Sequence, residues 1–266
     1  MLESYVAHIL ESIGRRKQEL KRQWSTAKPV RHLVIDGVLP GDEVESIDAA
    51  FPQTKEMRLM NSLRERKFTS KNMDAFDSRI RDVSFAFQDS AVIDLIGEIT
   101  EIVDNQGDPK FYAGGISSME DGHFLNPHID NSHDGNRERY RSLNLLFYTS
   151  PDWDQEFGGN LELWDPNVRS RCTIISRGNR LVVMETNSRS WHSVSPLRVK
   201  RRRNCISNYY FSHHSPDGGE YFNVTTFSAR PEQPIRRGVM VLDRFLRNSI
   251  RHIIRAGIGS KDLYNG

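Results

Sequence analysis

The sequence predicts a mainly β protein with helical additions: an N-terminal helical layer, a β core of sandwich or barrel type, and a closing C-terminal helix. Three observations predict it. Apolar residues recur at helical spacing near the N-terminus; from about residue 110, short β-rich runs alternate with turn signals; and from Pro234 the pattern returns to helix.

Residues 2 to about 24 read as one amphipathic helix, with Leu2, Val6, Ile9, Leu10 and Ile13 at helical spacing. PVRHLVIDGVLP alternates like a short strand and breaks at Pro40-Gly41. Asp42 is placed to cap a helix through Val44, Ile47 and Ala50 that ends at Pro52. Two or more further helices are expected over 58–104, burying Phe85, Phe87, Val92, Ile93, Leu95 and Ile96. Nine β-rich runs follow: KFYAGGIS, HFLNPHID, RSLNLLFYT, NLELW, TIISR, RLVVMET, HSVSPL, NCISNYYF and YFNVTTF. Asp121-Gly122, Asp134-Gly135, Gly158-Gly159 and Gly178-Asn179 separate several of them, a spacing that suits a sandwich or barrel.

In the tail, Val239, Leu242, Phe245, Leu246, Ile250 and Ile253 form an apolar stripe, with Arg247, Arg251 and Arg255 on the other side. Such a helix suits an anionic membrane surface or an acidic partner, and equally suits packing on the core with its arginines in water.

Composition narrows the function classes. Of 266 residues, 37% are hydrophobic and 27% charged, as in an ordinary soluble globular protein. A net charge of +2 is too small to argue for nucleic acid, and no nucleic-acid partner is expected. Two cysteines, Cys172 and Cys205, do not make a disulfide framework, which points to a reducing, cytoplasmic setting. The N-terminal residues do not read as a signal peptide, and no run approaches the roughly 20 apolar residues of a membrane span.

The chemistry-bearing residues begin at His128-Ile129-Asp130. Residues two apart on a strand share a face, so HxD aims an imidazole and a carboxylate into one place. It is the only HxD among the nine histidines. Alone it is weak, since a bland surface strand also produces the pair. Trp191-His192-Ser193 adds a second imidazole after the apolar run RLVVMET. Two histidines and one carboxylate leave open positions on a metal, which suits Fe(II) and oxygen chemistry better than a closed zinc site. In KRRRNCISNYYF, alternation puts Arg203, Cys205, Ser207, Tyr209 and Phe211 on one face. An inward arginine there needs a carboxylate partner, because an unpaired buried charge is costly. Lys200, Arg201 and Arg202 read as a solvated basic turn.

Taken together, HID, RSLNLLFYTSPDWDQEFGGNLELWD, WHSVSP and RNCISNYYF resemble the prolyl-4-hydroxylase-like 2-oxoglutarate/Fe(II)-dependent dioxygenases over roughly residues 111–228. The resemblance implies a double-stranded β-helix, or jelly-roll, core. The expected organisation is one domain over 1–266: a helical layer over 1–110, a jelly-roll catalytic core over 111–228 and a C-terminal amphipathic helix over 234–266. It implies iron ligation by His128, Asp130 and His192. It also implies that Arg203 grips the distal carboxylate of 2-oxoglutarate, that Tyr148 bonds the same carboxylate, and that Val194 forms an apolar wall. The implied cofactors are Fe(II), 2-oxoglutarate as cosubstrate and O2, with ascorbate as a reductant, and the implied products of the cosubstrate are succinate and CO2. The intact aspartate of HxD favours oxygenation over halogenation. Ser118 stands where a tyrosine would fall by ungapped counting, so the prime substrate stays open among a prolyl or other protein residue, a free amino acid or peptide, and a small metabolite. Arg137, Arg141, Trp153 and Trp164 are candidate contacts near the mouth, and the polar loop 131–141 is a candidate lid. The competing function is a metal-binding jelly-roll without turnover, a sensor or scaffold.

Overall fold

The computed structural model describes residues 1–234 and Arg237. The C-terminal helix predicted over 234–266 therefore lies, all but Pro234 and Arg237, outside the described residues.

The single N-terminal helix expected over 2–24 is two, α1 (Leu2–Gly14) and α2 (Lys17–Thr26). Gly14 and the charged Arg15-Arg16 pair separate them, where the backbone is weakest as helix. α1 buries Tyr5, Ile9 and Ile13, so its apolar stripe is turned away from Leu2, which is 40% exposed. Strand β1 (His32–Asp36) forms as predicted. In α3 (Gly41–Ala49) Asp42 is a first-turn residue rather than the cap, and Pro40 holds the capping position.

The larger correction concerns 58–104. Its first part is a hairpin, β2 (Arg58–Asn61) and β3 (Glu65–Ser70), and only then come helices α4 (Ser78–Ala86) and α5 (Ser90–Thr100). Asp77 and Asp89 cap these helices by accepting from the backbone N–H groups of Arg79 and Ala91. Phe87, Val92, Ile93 and Ile96 are buried, while Phe85 and Leu95 are partly so.

All nine predicted β-runs contribute strands: β4 (Gly115–Met119), β5 (Phe124–Ile129), β6 (Tyr140–Tyr148), β7 (Leu161–Trp164), β8 (Arg171–Ile174), β9 (Arg180–Glu185), β10 (His192–Val194), β11 (Arg203–Ser212) and the short β12 (Thr226–Phe227). They form a curled antiparallel sheet in the order β1-β9-β6-β11-β4-β3-β5-β10-β7-β8, with β2 on β3 and β12 on β5. β3 is the joint. Its Phe68–Ser70 pair with β4, and its Glu65 and Arg66 pair with β5.

Strand alternation gives the sheet two faces. Leu143, Leu145, Phe147, Leu181, Val183, Ile206 and Tyr210 pack outward against the helices, in one core with Ile9, Ile13, Ile80, Val83 and Ile96. The Tyr210 hydroxyl donates to the Phe87 carbonyl, tying that face to the helical layer. Inward, Tyr148, Val182, Met184 and Cys205 of one half of the sheet meet Leu161, Leu163 and Ile174 of the other. The two halves thus face each other across a common interior. Among the described residues no helix is long and apolar enough to cross a membrane.

Candidate active site

β5 and β10 are antiparallel neighbours, and His128 and His192 are directly paired across them. Their rings lie 4.1 Å apart. Each Nδ1 sits 3.0 Å from the carbonyl oxygen two residues earlier, Asn126 for His128 and Ser190 for His192. A carbonyl can only accept, so Nδ1 carries the proton and the Nε2 lone pair is left facing inward. Both Nε2 atoms point at Asp130, at 3.5 Å from Oδ1 for His128 and 3.7 Å from Oδ2 for His192. Donor atoms of the three buried residues all fall within 4.8 Å of one another, an arrangement that could hold a metal ion.

The electrostatics agree with that use. Burial, helped by the neighbouring His128, pushes His192 down to about 4, so its imidazole is neutral near pH 7. Burial alone would raise Asp130, but His192, His128 and Arg141 more than offset it and hold the carboxyl well below its usual range. A carboxylate beside two inward lone pairs is a donor set for a divalent cation.

A second pole lies across the interior. Arg203 begins β11 and is buried. Its guanidinium carbon is 4.7 Å from the centre of the Tyr148 ring. It donates through Nε to Ser176 Oγ at 3.4 Å and has Met119 Sδ at 3.8 Å, with no carboxylate partner among the described residues. The Tyr148 hydroxyl is buried beside Ser176 and Arg203 with no well-formed hydrogen bond, and burial pushes it up to about 12. Val194 packs with Met119, Leu125, Trp153 and Leu197 beside this pole. A cation without an anion, a buried hydroxyl and an apolar wall suit the carboxylate end of an organic acid. Gly158 and Gly159 let the chain pass closely here. Gly158 has φ +73°, and a Cβ on it would meet the Pro196 carbonyl oxygen at 2.0 Å.

Adjacent residues have other work. Arg202 turns the opposite way, donating to the Pro52 carbonyl at 2.8 Å and to Ser118 Oγ at 3.0 Å. Ser118 faces that same side, bonded to Asn204 at 2.6 Å. It is therefore not a position of the interior. Asn204 in turn donates to Asp48 at the end of α3.

A third wall was missed by motif reasoning. Asp130 Oδ2 accepts from the Tyr209 hydroxyl at 3.1 Å and lies 3.5 Å from Arg141 Nη1. Asn144 Nδ2 donates to the Tyr209 hydroxyl at 3.0 Å. Alternation alone places Tyr209 on the face of Arg203, and Asn144 on the face of Tyr148. Of the mouth candidates, Trp153 and Trp164 are buried packing residues whose indoles donate to Gly158 O and Ser193 Oγ. Arg137 lies over the exposed Phe222 ring at 4.8 Å. The loop 131–141 is anchored at both ends, through Ser132 to Asn223 and through an Asp134–Arg139 ion pair, leaving residues 135–138 as its exposed tip. Phe227 stacks on His128 and covers it.

Residues 114–237 match the family model described as the 2OG-Fe(II) oxygenase superfamily. Solved structures share the fold. A Pseudomonas putida prolyl-4-hydroxylase aligns with TM-score 0.57 at 14% identity, covering 73% of this chain and 98% of its own. A Trichoplax adhaerens prolyl hydroxylase, solved with a hypoxia-inducible-factor oxygen degradation domain peptide, aligns at 0.53 and 21% identity, covering 80% and 96%. SnoN, a non-haem α-ketoglutarate-dependent epimerase from nogalamycin biosynthesis, aligns at 0.51 and 13% identity, covering 75% and 84%. No curated protein sequence matches the chain.

Proposed function

We propose that this chain, whose residues 114–237 match the family model of the 2OG-Fe(II) oxygenase superfamily, is a hydroxylase coupling substrate oxidation to decarboxylation of 2-oxoglutarate to succinate and CO2. Fe(II), with 2-oxoglutarate and O2, supplies the oxidising power for attack on a C–H bond. The observation that carries the reading is the buried Arg203 without a carboxylate beside the buried Tyr148 hydroxyl, in the same interior as His128, Asp130 and His192.

In this reading His128 and His192 offer Nε2 and Asp130 a carboxylate oxygen to iron, while Tyr209 and Arg141 orient the other oxygen. Arg203 and Tyr148 bind the distal carboxylate of 2-oxoglutarate, and Val194 keeps water from that end. The prime substrate is a prolyl or peptidyl residue or a small molecule.

The test is succinate release from 2-oxoglutarate with Fe(II), using ascorbate to keep iron ferrous, in wild type and His128→Ala. Slow release by wild type and a loss of at least ~100-fold in the variant are expected. Absence of both Fe(II) and 2-oxoglutarate binding would end the reading. Binding of both without succinate would favour a sensor or scaffold instead.

A further inference from the structure

On the wall formed by Tyr209, Arg141 and Asn144, several buried polar atoms have no partner. Arg141 is only 6% exposed, yet its Nε bonds to nothing. Its guanidinium lies over the Tyr209 ring at 4.2 Å, and its one ion pair is the long 3.5 Å contact to Asp130. Asn144 Oδ1 is likewise buried and unpaired. The identity of that atom is fixed by its neighbours. Tyr209 gives its only proton to Asp130, so it must accept from Asn144 Nδ2, which leaves Oδ1 as a free acceptor. Tyr221, stacked on Tyr140 next to Arg141, supplies a third unpaired polar atom, its hydroxyl.

The charges facing this interior point the same way. A divalent cation and a dicarboxylate cancel, and Asp130 offsets one arginine. Glu65 and Lys67, near His128, neutralise each other at 3.1 Å. With Arg203 serving the cosubstrate, Arg141 is the buried guanidinium left without a close carboxylate: its ion pair to Asp130 is long at 3.5 Å, and Asp217 and Glu185 act on the neighbouring Tyr221 hydroxyl. A buried guanidinium in that position is complementary to a carboxylate. The acceptor beside it calls for a donor on the same molecule. A neutral internal residue of a peptide supplies no charge to match.

Resting on the oxygenase reading above, we propose that the prime substrate is a small organic acid, a free α-amino or α-hydroxy acid, whose carboxylate pairs with Arg141 and whose amino or hydroxyl group donates to Asn144 Oδ1.

The full-length protein is loaded anaerobically with Fe(II) and 2-oxoglutarate, and the visible charge-transfer absorption of that complex is followed. Free L-amino acids and L-2-hydroxy acids are then titrated beside their primary amides. At least one acid is expected to perturb the absorption saturably, with its amide roughly tenfold weaker or worse. Arg141→Gln should collapse this acid-over-amide preference to under about twofold, and Arg141→Lys should retain most of it. Asn144→Asp, an independent variant, should reduce the preference by placing a like charge beside the bound acid. A ratio of two ligands is insensitive to a general weakening of the site. The proposal falls if the complex forms but no acid binds by about 10 mM, or if acids and amides bind alike. It falls too if the preference survives Arg141→Gln. If the charge-transfer absorption never forms, the oxygenase reading itself has failed.

Discussion

His128 and His192 are set by the same local device, a ring N–H returned to the carbonyl two residues back. This fixes the inward lone pairs without any charged partner, while burial makes His192 sensitive to acid. The His192 imidazole is depressed to about 4 in the fold, against 6.5 ordinarily. The unfolded chain therefore takes up the proton first as pH falls, and stability is lost from about 6.5 down to about 4. Asp130, also depressed, works in a lower window: its contribution is present above the ordinary 3.8 and is lost only in stronger acid. The urea midpoint of the metal-free protein should accordingly fall between pH 7 and 5, and saturating divalent metal, which likewise holds folded His192 unprotonated, should raise the midpoint without removing that fall. A pH-independent midpoint without metal would contradict the assignment. At the other pole, Arg203→Ala should raise the half-saturating 2-oxoglutarate concentration by ~10- to 100-fold, through loss of a charge-assisted pair. Tyr148→Phe should cost only several-fold, since it removes one neutral hydrogen bond. Equal effects of the two substitutions would mean that Arg203 is not the principal anchor.

Between elements, close packing is concentrated where the chain returns from β10 towards β11. Gly158→Ala would drive a methyl into the Pro196 carbonyl at a positive φ. A loss of more than ~1 kcal/mol in chemical denaturation is expected, larger than for an Ala substitution at the open Gly219. Behind His192, buried Glu162 accepts from Ser193 Oγ at 2.6 Å and pairs with buried Arg230 at 2.5 Å. Glu162 also pairs with Arg171 at 3.0 Å, so Arg230→Ala leaves it one cation and should cost less than the roughly 3–5 kcal/mol of a fully stranded buried charge, readable as a lowered thermal midpoint. Much of this level was legible beforehand. The β-runs are apolar and bounded by Gly-containing turns, and period-2 alternation correctly grouped His128 with Asp130 and Arg203 with Tyr209. The β2–β3 hairpin was not legible. ERKFTS carries one large apolar residue among charges, because it joins two sheet halves rather than filling a core, and such a run resembles exposed helix. Spacing placed Tyr209 and Asn144 on the third wall but could not add Arg141 to it. The register shift at Tyr210/Phe211 places Phe211 opposite Arg141, and a bulge leaves no trace in alternation.

Over the whole molecule, the curled sheet keeps the two poles on different halves. His128 and His192 stand on β5 and β10, and Tyr148 and Arg203 on β6 and β11. Among the described residues, β3 is the strand that bridges β4 to β5 between them. The proposed metal position and the proposed carboxylate anchor are thus joined within the sheet by one short polar strand. Any ligand that spans both halves must hold that joint in a single geometry, so the two binding events become thermodynamically linked. Metal should tighten 2-oxoglutarate, and 2-oxoglutarate should tighten metal by the same factor. Phe68→Ala, which loosens the joint without touching either pole, should shrink that mutual factor more than it weakens either ligand bound alone. Calorimetry of each ligand, with and without the other, would measure it. The hairpin that looked least like structure in the sequence would then act as the coupler of the molecule's two halves.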